Sequence, residues 1–241
     1  ACASWRIGTQ ALDAIREVPL GRWDASALAA GTCDAPASLR RRHGGFVLGA
    51  QLFDAASFGV SAAEAGAMDP QQRLLLERGY AALHAGGVRR AALSGGLIGA
   101  FIGVEMHDFE AVLAASPLGG SVYAATGSSL SIASGRLSYV LGLHGPCASY
   151  ATACSAALVA FHAARRALQL DECVAGLVCG INLMLSPGVG TSFAVAGMTS
   201  PRGRCHTFDA RADGYARAEA CGAAALRKCS GFTSLSLAGC A

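Results

Sequence analysis

The chain has 241 residues, of which 53% are hydrophobic and 15% are charged. This composition supplies a buried core of ordinary domain size and excludes an intrinsically disordered segment. The net charge of +3 is small for the length, and the basic run at residues 40–43 is typical of a solvated loop. No nucleic-acid partner is therefore predicted.

Two stretches without formal charge, residues 137–164 and 174–201, are long enough to span a bilayer. Gly145-Pro146 interrupts the first and Ser186-Pro187 the second. Buried parallel strands with their following turns explain both stretches better than membrane helices do. We predict no membrane span.

The ten cysteines form no CxxC pair, and the chain is longer than the small secreted domains that depend on disulfides. No charged start followed by an apolar core marks a secretory signal. We therefore predict reduced, mostly buried thiols and a cytoplasmic protein, with a plastid as the alternative location.

The first well-defined element is a helix at residues 70–85. Residues 5–24 mix helical and turn signals, and the apolar residues of 46–58 predict a strand followed by an irregular connection. At the start of the helix, Asp69 is expected to accept the free amide of Gln72, whose side chain reaches back to complete a capping box.

The following elements alternate between strand and helix. Continuous apolar runs predict buried strands, and runs rich in small residues predict the helices that cover them. The series is strand 97–104, helix 129–141, strand 147–151, helix 155–168 and strand 174–181. This order predicts an α/β fold with a mostly parallel sheet covered by helices.

Cys154 lies between the predicted strand 147–151 and the helix that follows it. A thiol at such a corner faces unpaired amides and the positive end of the helix dipole, which favour the thiolate over the thiol. The Cys154 amide is also placed to donate to the oxyanion of a thioester carbonyl. From the residues alone a packed core cysteine is an equal alternative, because cysteine is among the most buried residue types.

Several motifs together resemble one enzyme family. Thr152-Ala-Cys-Ser with Leu158-Val-Ala is similar to the active-site signature of the β-ketoacyl synthases of modular polyketide synthases. Met68-Asp-Pro-Gln-Gln-Arg-Leu-Leu-Leu-Glu77 resembles a helix of the same family. Further blocks in the family's order are 44–46, 52–56, 180–187, 197–201, 203–209 and 212–215.

The resemblance implies the N-terminal half of the thiolase-like αβαβα fold and a homodimer. It further implies acyl transfer and decarboxylative Claisen condensation on thioesters of an acyl carrier protein, as in polyketide or fatty-acid biosynthesis. Cys154 would be the nucleophile. Substrates would arrive on the carrier's phosphopantetheine arm, and no cofactor would be bound by the domain itself.

Some positions depart from the family's pattern. Ala151 stands where the family commonly has Asp, Ala156 where it has Ser, and Ala218-Glu219-Ala220 where it has Gly-Glu-Gly. These changes affect the support of the site and leave the nucleophile in place. Glu219, together with Asp209 and Asp213, fits no cation-binding loop, so no metal site is predicted.

The resemblance also implies two histidine motifs that lie more than about a hundred residues beyond the cysteine. Histidine is the usual acid–base group near neutral pH. Only 87 residues follow Cys154, and the six histidines match neither motif. His162, two helical turns past Cys154, is interpreted as packing or local hydrogen bonding.

The resemblance covers residues 5–226. We therefore predict a β-ketoacyl synthase N-terminal domain over 1–226, truncated at both ends, followed by a divergent tail at 227–241. Two other functions stay open. One is a condensation-incompetent fragment that dimerises or binds a carrier, and the other is a thiolase-type acyltransferase acting on coenzyme A thioesters.

Overall fold

The computed structural model of the chain describes residues 9–25, 35–228 and 235–240, with the backbone alone at 35, 36 and 235–240. Two compact units are present, Ala1–Leu48 with Leu183–Glu219 and Gly49–Asn182 with Ala220–Ala241. We call them the first and the second unit. Cys154 belongs to the second.

The strands form two sheets. In chain order they are β1 Ile15–Glu17, β2 His43–Gly45, β3 Ile98–Val104, β4 Cys147–Tyr150, β5 Ala175–Asn182, β6 Ala220–Lys228 and β7 Leu235–Cys240. In the first unit β1 and β2 pair antiparallel. The second unit contains a sheet of order β4-β3-β5-β6-β7, in which β3 is parallel to both neighbours and β6 is antiparallel to both of its own.

The α-helices are α1 Ala35–Leu39, α2 Ala62–Ala67, α3 Pro70–Ala85, α4 Asp108–Ala114, α5 Ala124–Ser128, α6 Ile132–Leu141, α7 Ala156–Gln169 and α8 Gly188–Val195. Together with the sheet they confirm the predicted α/β class. Its three parallel strands, β3, β4 and β5, and the helices α3, α6 and α7 lie within a few residues of their predicted positions. No helix in the described ranges has the length and apolarity needed to cross a bilayer.

Helices cover both faces of the sheet in the second unit. Successive side chains of a strand point to opposite faces. Accordingly, Gly176 of β5 faces Ala164 of α7, while its neighbour Leu177 faces Gly79 of α3. Every residue of β3 is buried. Burial from both sides explains why this strand is a continuous apolar run in the sequence.

The start of α3 differs from the predicted capping box. The side chain of Asp69 accepts from the amide of Gln71 at 2.7 Å rather than from Gln72. The carboxamide of Gln72 instead donates to the carbonyl of Gly127 at 3.1 Å and accepts from Nε of Arg136 at 2.6 Å. Gln72 is therefore used to hold the segment before α6, a long-range role that local spacing does not reveal.

The prediction of a strand within 46–58 was wrong. That segment contains turns and a short 3₁₀ helix, Ala56–Phe58, and the strand lies just before it, at β2. Its sequence, His-Gly-Gly, shows no apolar alternation. The strand forms through backbone pairing with β1 and through a bridge between Gly45 and Ala218, which the sequence pattern does not reveal. The mixed signals of 5–24 include β1, which was also not predicted.

Candidate active site

Cys154 lies at a corner between a strand and a helix. β4 ends at Tyr150, a 3₁₀ turn occupies Ala153–Ser155, and α7 begins at Ala156. The cysteine is exposed, as are the three residues before it. The alternative of a packed core thiol is therefore excluded, and the corner provides an accessible thiol directly before a helix of the second unit.

The turn around Cys154 has a strained residue and a set of local hydrogen bonds. Ala153 has φ +52°, a left-handed conformation that is costly for a residue with a Cβ. Its amide donates to Oε2 of Glu105 at 3.0 Å. The amide of Ser155 donates to the carbonyl of Thr152 at 3.2 Å, and its hydroxyl donates to the same carbonyl at 2.7 Å. These contacts fix the backbone on both sides of the thiol.

Two glycines beneath the helix allow α7 to start where it does. Gly103 of β3 and Gly180 of β5 are partners in the parallel register. A Cβ on Gly103 would lie 2.5 Å from the amide nitrogen of Ala157, and one on Gly180 would lie 2.8 Å from its Cβ. Since neither strand carries a side chain at these two positions, the first turn of α7 packs directly on the sheet. This contact sets the distance of Cys154 from the sheet.

Glu105 is a site residue that the sequence analysis missed. It follows β3 by one position and is only partly buried. A signal was available, because in parallel sheets the functional groups gather beyond the carboxyl ends of the strands. What the sequence alone does not show is that β3 is the neighbour of β4, which brings this carboxylate to the turn of the cysteine.

The other described thiols fall into two groups. Cys147 and Cys205 are exposed, so the prediction of mostly buried cysteines was wrong for half of the six free thiols in the described part. Burial raises the pKa of Cys173, raises that of Cys179 well above its ordinary value, and raises that of Cys221 to about 12. These three are poor nucleophiles at neutral pH, because the thiolate is the reactive form.

The histidine nearest in sequence to the corner does not pack as predicted. His162 lies on the exposed side of α7. The same helix also exposes Leu158 by 71% and Phe161 by 38%, at four and seven residues after Cys154. Residues at this spacing share one side of a helix. Leu158 and Phe161, three residues apart, therefore expose apolar surface on one side of the first half of α7.

The carboxylates considered for a cation have other partners. Glu219 is buried in the first unit, pairs with Arg22 at 2.9 Å, and accepts from the amides of Val47 and Met184. Asp209 pairs with Arg211, and Asp213 pairs with Arg202. Within the described residues no group of three or more metal-ligating side chains is arranged around a common point.

The chain is similar to polyketide synthases over most of its length. Residues 3–230 match the family model of the β-ketoacyl synthase N-terminal domain. Two different subunits of the phenolphthiocerol/phthiocerol polyketide synthase of Mycobacterium tuberculosis are 40% and 41% identical to this chain, each over 93% of it. The chain spans 15% and 10% of the lengths of these two relatives.

Solved structures show the same likeness. The ketosynthase from module 6 of the bacillaene synthase of Bacillus subtilis 168 superposes with a TM-score of 0.83 at 33% identity, over 93% of this chain and 37% of that one. The oxazolomycin ketosynthase domain of Streptomyces albus JA3453 gives 0.83 at 32% identity, over 94% and 40%. These matches confirm the thiolase-like fold, and with the family model they show that this chain belongs to the β-ketoacyl synthases as an N-terminal domain of that family.

Proposed function

We propose that this chain supplies the acyl-accepting nucleophile of a ketosynthase in polyketide or fatty-acid biosynthesis, and that Cys154 is that nucleophile. The observation on which the proposal depends is the exposed thiol at a strained corner directly before α7. Backbone strain of this kind persists where the surrounding contacts over-determine it, and it is common at reactive sites. The family membership supplies the class of reaction.

In the first half-reaction the Cys154 thiolate attacks the carbonyl carbon of an acyl thioester carried on phosphopantetheine. The tetrahedral intermediate collapses, the carbon–sulfur bond to the arm breaks, and the arm leaves as a thiolate that takes up a proton. The amide of Ala153 already donates to Glu105, and the amide of Ser155 donates to the carbonyl of Thr152. We therefore assign the amide of Cys154 to the oxyanion.

In the second half-reaction a malonyl-type extender on the carrier loses carbon dioxide, and the resulting carbanion attacks the Cys154 thioester. A carbon–carbon bond forms, the cysteine thiolate leaves, and the β-ketoacyl product stays on the carrier. In this half-reaction we assign a role to two features of the described chain, the nucleophile Cys154 and the turn that supports it. The apolar surface at Leu158 and Phe161 suits an acyl chain in the loaded state.

We also propose a homodimer in which β4 lies at the contact, with an acyl carrier protein as the transient partner. β4 is an edge of the sheet in the second unit, and exposed edges pair readily with another chain. Helix α6 packs against β4, and it leaves Tyr139 89% exposed. Size-exclusion chromatography with light scattering tests the assembly, and a monomer at micromolar concentration argues against it. The cytoplasmic location stays a prediction.

Acyl transfer is tested by incubating the chain with an acyl-phosphopantetheine thioester and mapping the adduct by mass spectrometry. The acyl group is expected on the peptide containing Cys154 and is lost in Cys154→Ala. Cys205→Ala is the matched control, because Cys205 is also exposed and belongs to the first unit. Acyl groups spread over Cys147, Cys154 and Cys205 in proportion to exposure would refute the assignment.

Two further measurements separate the other functions. Acylation of Cys154 without carbon dioxide release from a malonyl thioester identifies a fragment that loads but does not condense. Faster acylation from coenzyme A thioesters than from carrier-bound thioesters identifies a thiolase-type acyltransferase. Both outcomes leave the nucleophile in place and change the reaction assigned to it.

A further inference from the structure

The carboxylate of Glu105 reaches the turn of the proposed nucleophile from a different strand. Glu105 directly follows β3, and its Oε2 accepts from the amide of Ala153 at 3.0 Å. Ala153 is the residue before Cys154. Because β3 and β4 are parallel neighbours, with Gly103 opposite Tyr150, both strands end at the same edge of the sheet. The contact therefore joins two strand ends beside the thiol.

The backbone of Ala153 depends on its surroundings. Its φ of +52° is a left-handed conformation, which is unfavourable for a residue with a Cβ. Such a conformation persists only where neighbouring contacts determine it. A hydrogen bond to an ionised acceptor is about twice as strong as a bond between neutral groups. The carboxylate of Glu105 therefore offsets part of the cost of this turn.

The backbone at Glu105 is itself held on both sides. On one side Val104 pairs with Ile181 of β5. On the other side the carboxamide of Gln71 donates to the carbonyl of Met106 at 2.7 Å. Gln71 belongs to α3 of the same unit and is only 2% exposed. Two separate elements thus fix the segment that presents the carboxylate, and fixed support of this kind is what precise positioning requires.

Position 151 lacks a side chain that would serve the same amide. An aspartate accepts a hydrogen bond from the backbone amide two residues later, in the arrangement called an Asx turn. For the amide of Ala153 that position is 151, where the family commonly has aspartate and this chain has alanine. Ala151 is exposed, so a longer side chain fits there. In this chain the acceptor comes from Glu105 instead.

We propose that Glu105 is a positioning residue for acyl transfer by Cys154, and that it supplies the acceptor that an aspartate at position 151 would otherwise supply. The inference rests on the proposed function of Cys154. Glu105 acts through the backbone, because holding the amide of Ala153 fixes the next amide, that of Cys154, for the oxyanion. It forms no bond to the substrate and transfers no proton.

Four proteins test this exchange of acceptors: the wild type, Glu105→Ala, Ala151→Asp and the double variant. Mass spectrometry follows acylation of Cys154 over a range of acyl-phosphopantetheine concentrations. Glu105→Ala is expected to lower the maximal rate about tenfold, the usual effect of losing one hydrogen bond to a charged group. The thioester concentration at half-maximal rate should stay unchanged, because the turn acts on the reacting carbonyl and not on binding.

The double variant distinguishes positioning from a general loss of structure. Ala151→Asp should restore most of the rate that Glu105→Ala loses, because it returns an acceptor to the amide of Ala153. In the wild-type background the same substitution should not speed acylation, since the amide already has its acceptor and a second carboxylate repels the first. An effect that depends on the background in this way identifies two side chains that serve one group.

Two further variants separate the hydrogen bond from the charge. Glu105→Gln keeps a carbonyl acceptor, and it should lose only about threefold in maximal rate because a neutral acceptor bonds about half as strongly. Glu110→Ala is the matched control, since Glu110 is an exposed carboxylate of the adjacent α4. It removes the same charge from the same unit and should acylate at the wild-type rate.

The proposal is overturned if Glu105→Ala is slowed no more than Glu110→Ala, or if Ala151→Asp does not restore the rate of Glu105→Ala. A loss in Glu105→Gln as large as in Glu105→Ala would equally overturn it, because the charge and not the acceptor would then matter.

Urea unfolding of the same four proteins needs no acyl transfer. The free energy of unfolding lost in Glu105→Ala should be regained in the double variant, because the amide of Ala153 again has an acceptor. A wild type that is not acylated at Cys154 refutes the proposed function. The unfolding data still decide in that case whether Glu105 and residue 151 supply one acceptor, and no recovery in the double variant means that they do not.

Discussion

The amide nitrogen of Ala157 lies so close to Gly103 that a Cβ on the glycine would be 2.5 Å away. The two residues belong to α7 and β3 of the second unit. Cys154 precedes Ala157 by three residues. The absence of a side chain at Gly103 of β3 therefore sets the position of the thiol that follows β4. Sheet packing and site geometry are thus joined at a single contact.

Replacing Gly103 with Ala is expected to lower the free energy of unfolding by about 2–3 kcal/mol, because backbone rather than a flexible side chain meets the new methyl group. The first turn of α7 must move outward, so acylation of Cys154 should slow as well. Urea unfolding and the rate of acyl transfer measure the two effects.

Gly135→Ala is the control for that substitution. Gly135 lies within α6, and a Cβ there would meet nothing within 4 Å. This change should raise the free energy of unfolding by about 0.5–1 kcal/mol, since alanine is the better helix former. Equal effects at the two positions would show that the contact between Gly103 and Ala157 does not position the helix.

The sequence predicted the parts of the fold in which local pattern and burial agree. Strand β3 is apolar throughout because it is covered on both faces, and α3 has a proline start and a glycine end. It did not predict the antiparallel strand β6, whose run of alanines gives no strand signal and which forms by pairing with β5. At the site, the corner of Cys154 was predictable from its flanking elements.

What the sequence could not supply were contacts between distant segments. The bond from Ala153 to Glu105 joins residues that are 48 positions apart, and it depends on which strands are neighbours. Arg41 is one of three consecutive arginines that look alike in the sequence, yet it alone of the three is buried. Composition suggests a solvated loop there, and only packing distinguishes the members of the run.

The stability of the chain should fall as pH rises through the range in which Asp69 ionises. Burial raises the pKa of this carboxyl to about 6 from an ordinary 3.8, and the nearby Asp108 adds to the rise. Between these values the folded state binds the proton more tightly than the unfolded state, so raising the pH from about 4 to 6 removes up to about 3 kcal/mol from the free energy of unfolding.

Asp69→Asn isolates that contribution, because asparagine keeps an acceptor for the amide of Gln71 but does not ionise. The difference in unfolding free energy, wild type minus variant, should decrease from pH 4 to pH 6 and stay level above that, the window set by the raised pKa. Urea titrations of both proteins at a series of pH values measure this difference. A difference that is constant with pH, or that grows, would contradict the raised pKa.

Thiol accessibility should divide the described cysteines into two classes. Iodoacetamide is expected to label Cys154 and Cys205 in the folded chain, because these thiols are exposed. Cys173 and Cys179 should stay unlabelled until urea is added, since burial both shields them and raises their pKa. Mass spectrometry of labelled peptides measures each site. Labelling of Cys179 at the rate of Cys205 in the native state would count against the packing of β5.

Ala153 offers a test in which the sign of the effect matters. Its φ of +52° costs an alanine about 1–2 kcal/mol that glycine avoids. After the extra unfolded-state freedom of glycine is subtracted, Ala153→Gly should raise the free energy of unfolding by up to about 1 kcal/mol. Ala153→Val, with a branched side chain in the same conformation, should lower it by about 2 kcal/mol.

The same glycine substitution two residues earlier should have the opposite sign. Ala151 is exposed like Ala153 but does not have a positive φ. Ala151→Gly therefore adds only freedom to the unfolded chain and should lower the free energy of unfolding by about 0.5–1 kcal/mol. Parallel urea titrations compare the variants. If Ala151→Gly and Ala153→Gly are destabilised alike, the turn at Cys154 stores no backbone strain. The strained corner would then no longer support Cys154 as the nucleophile.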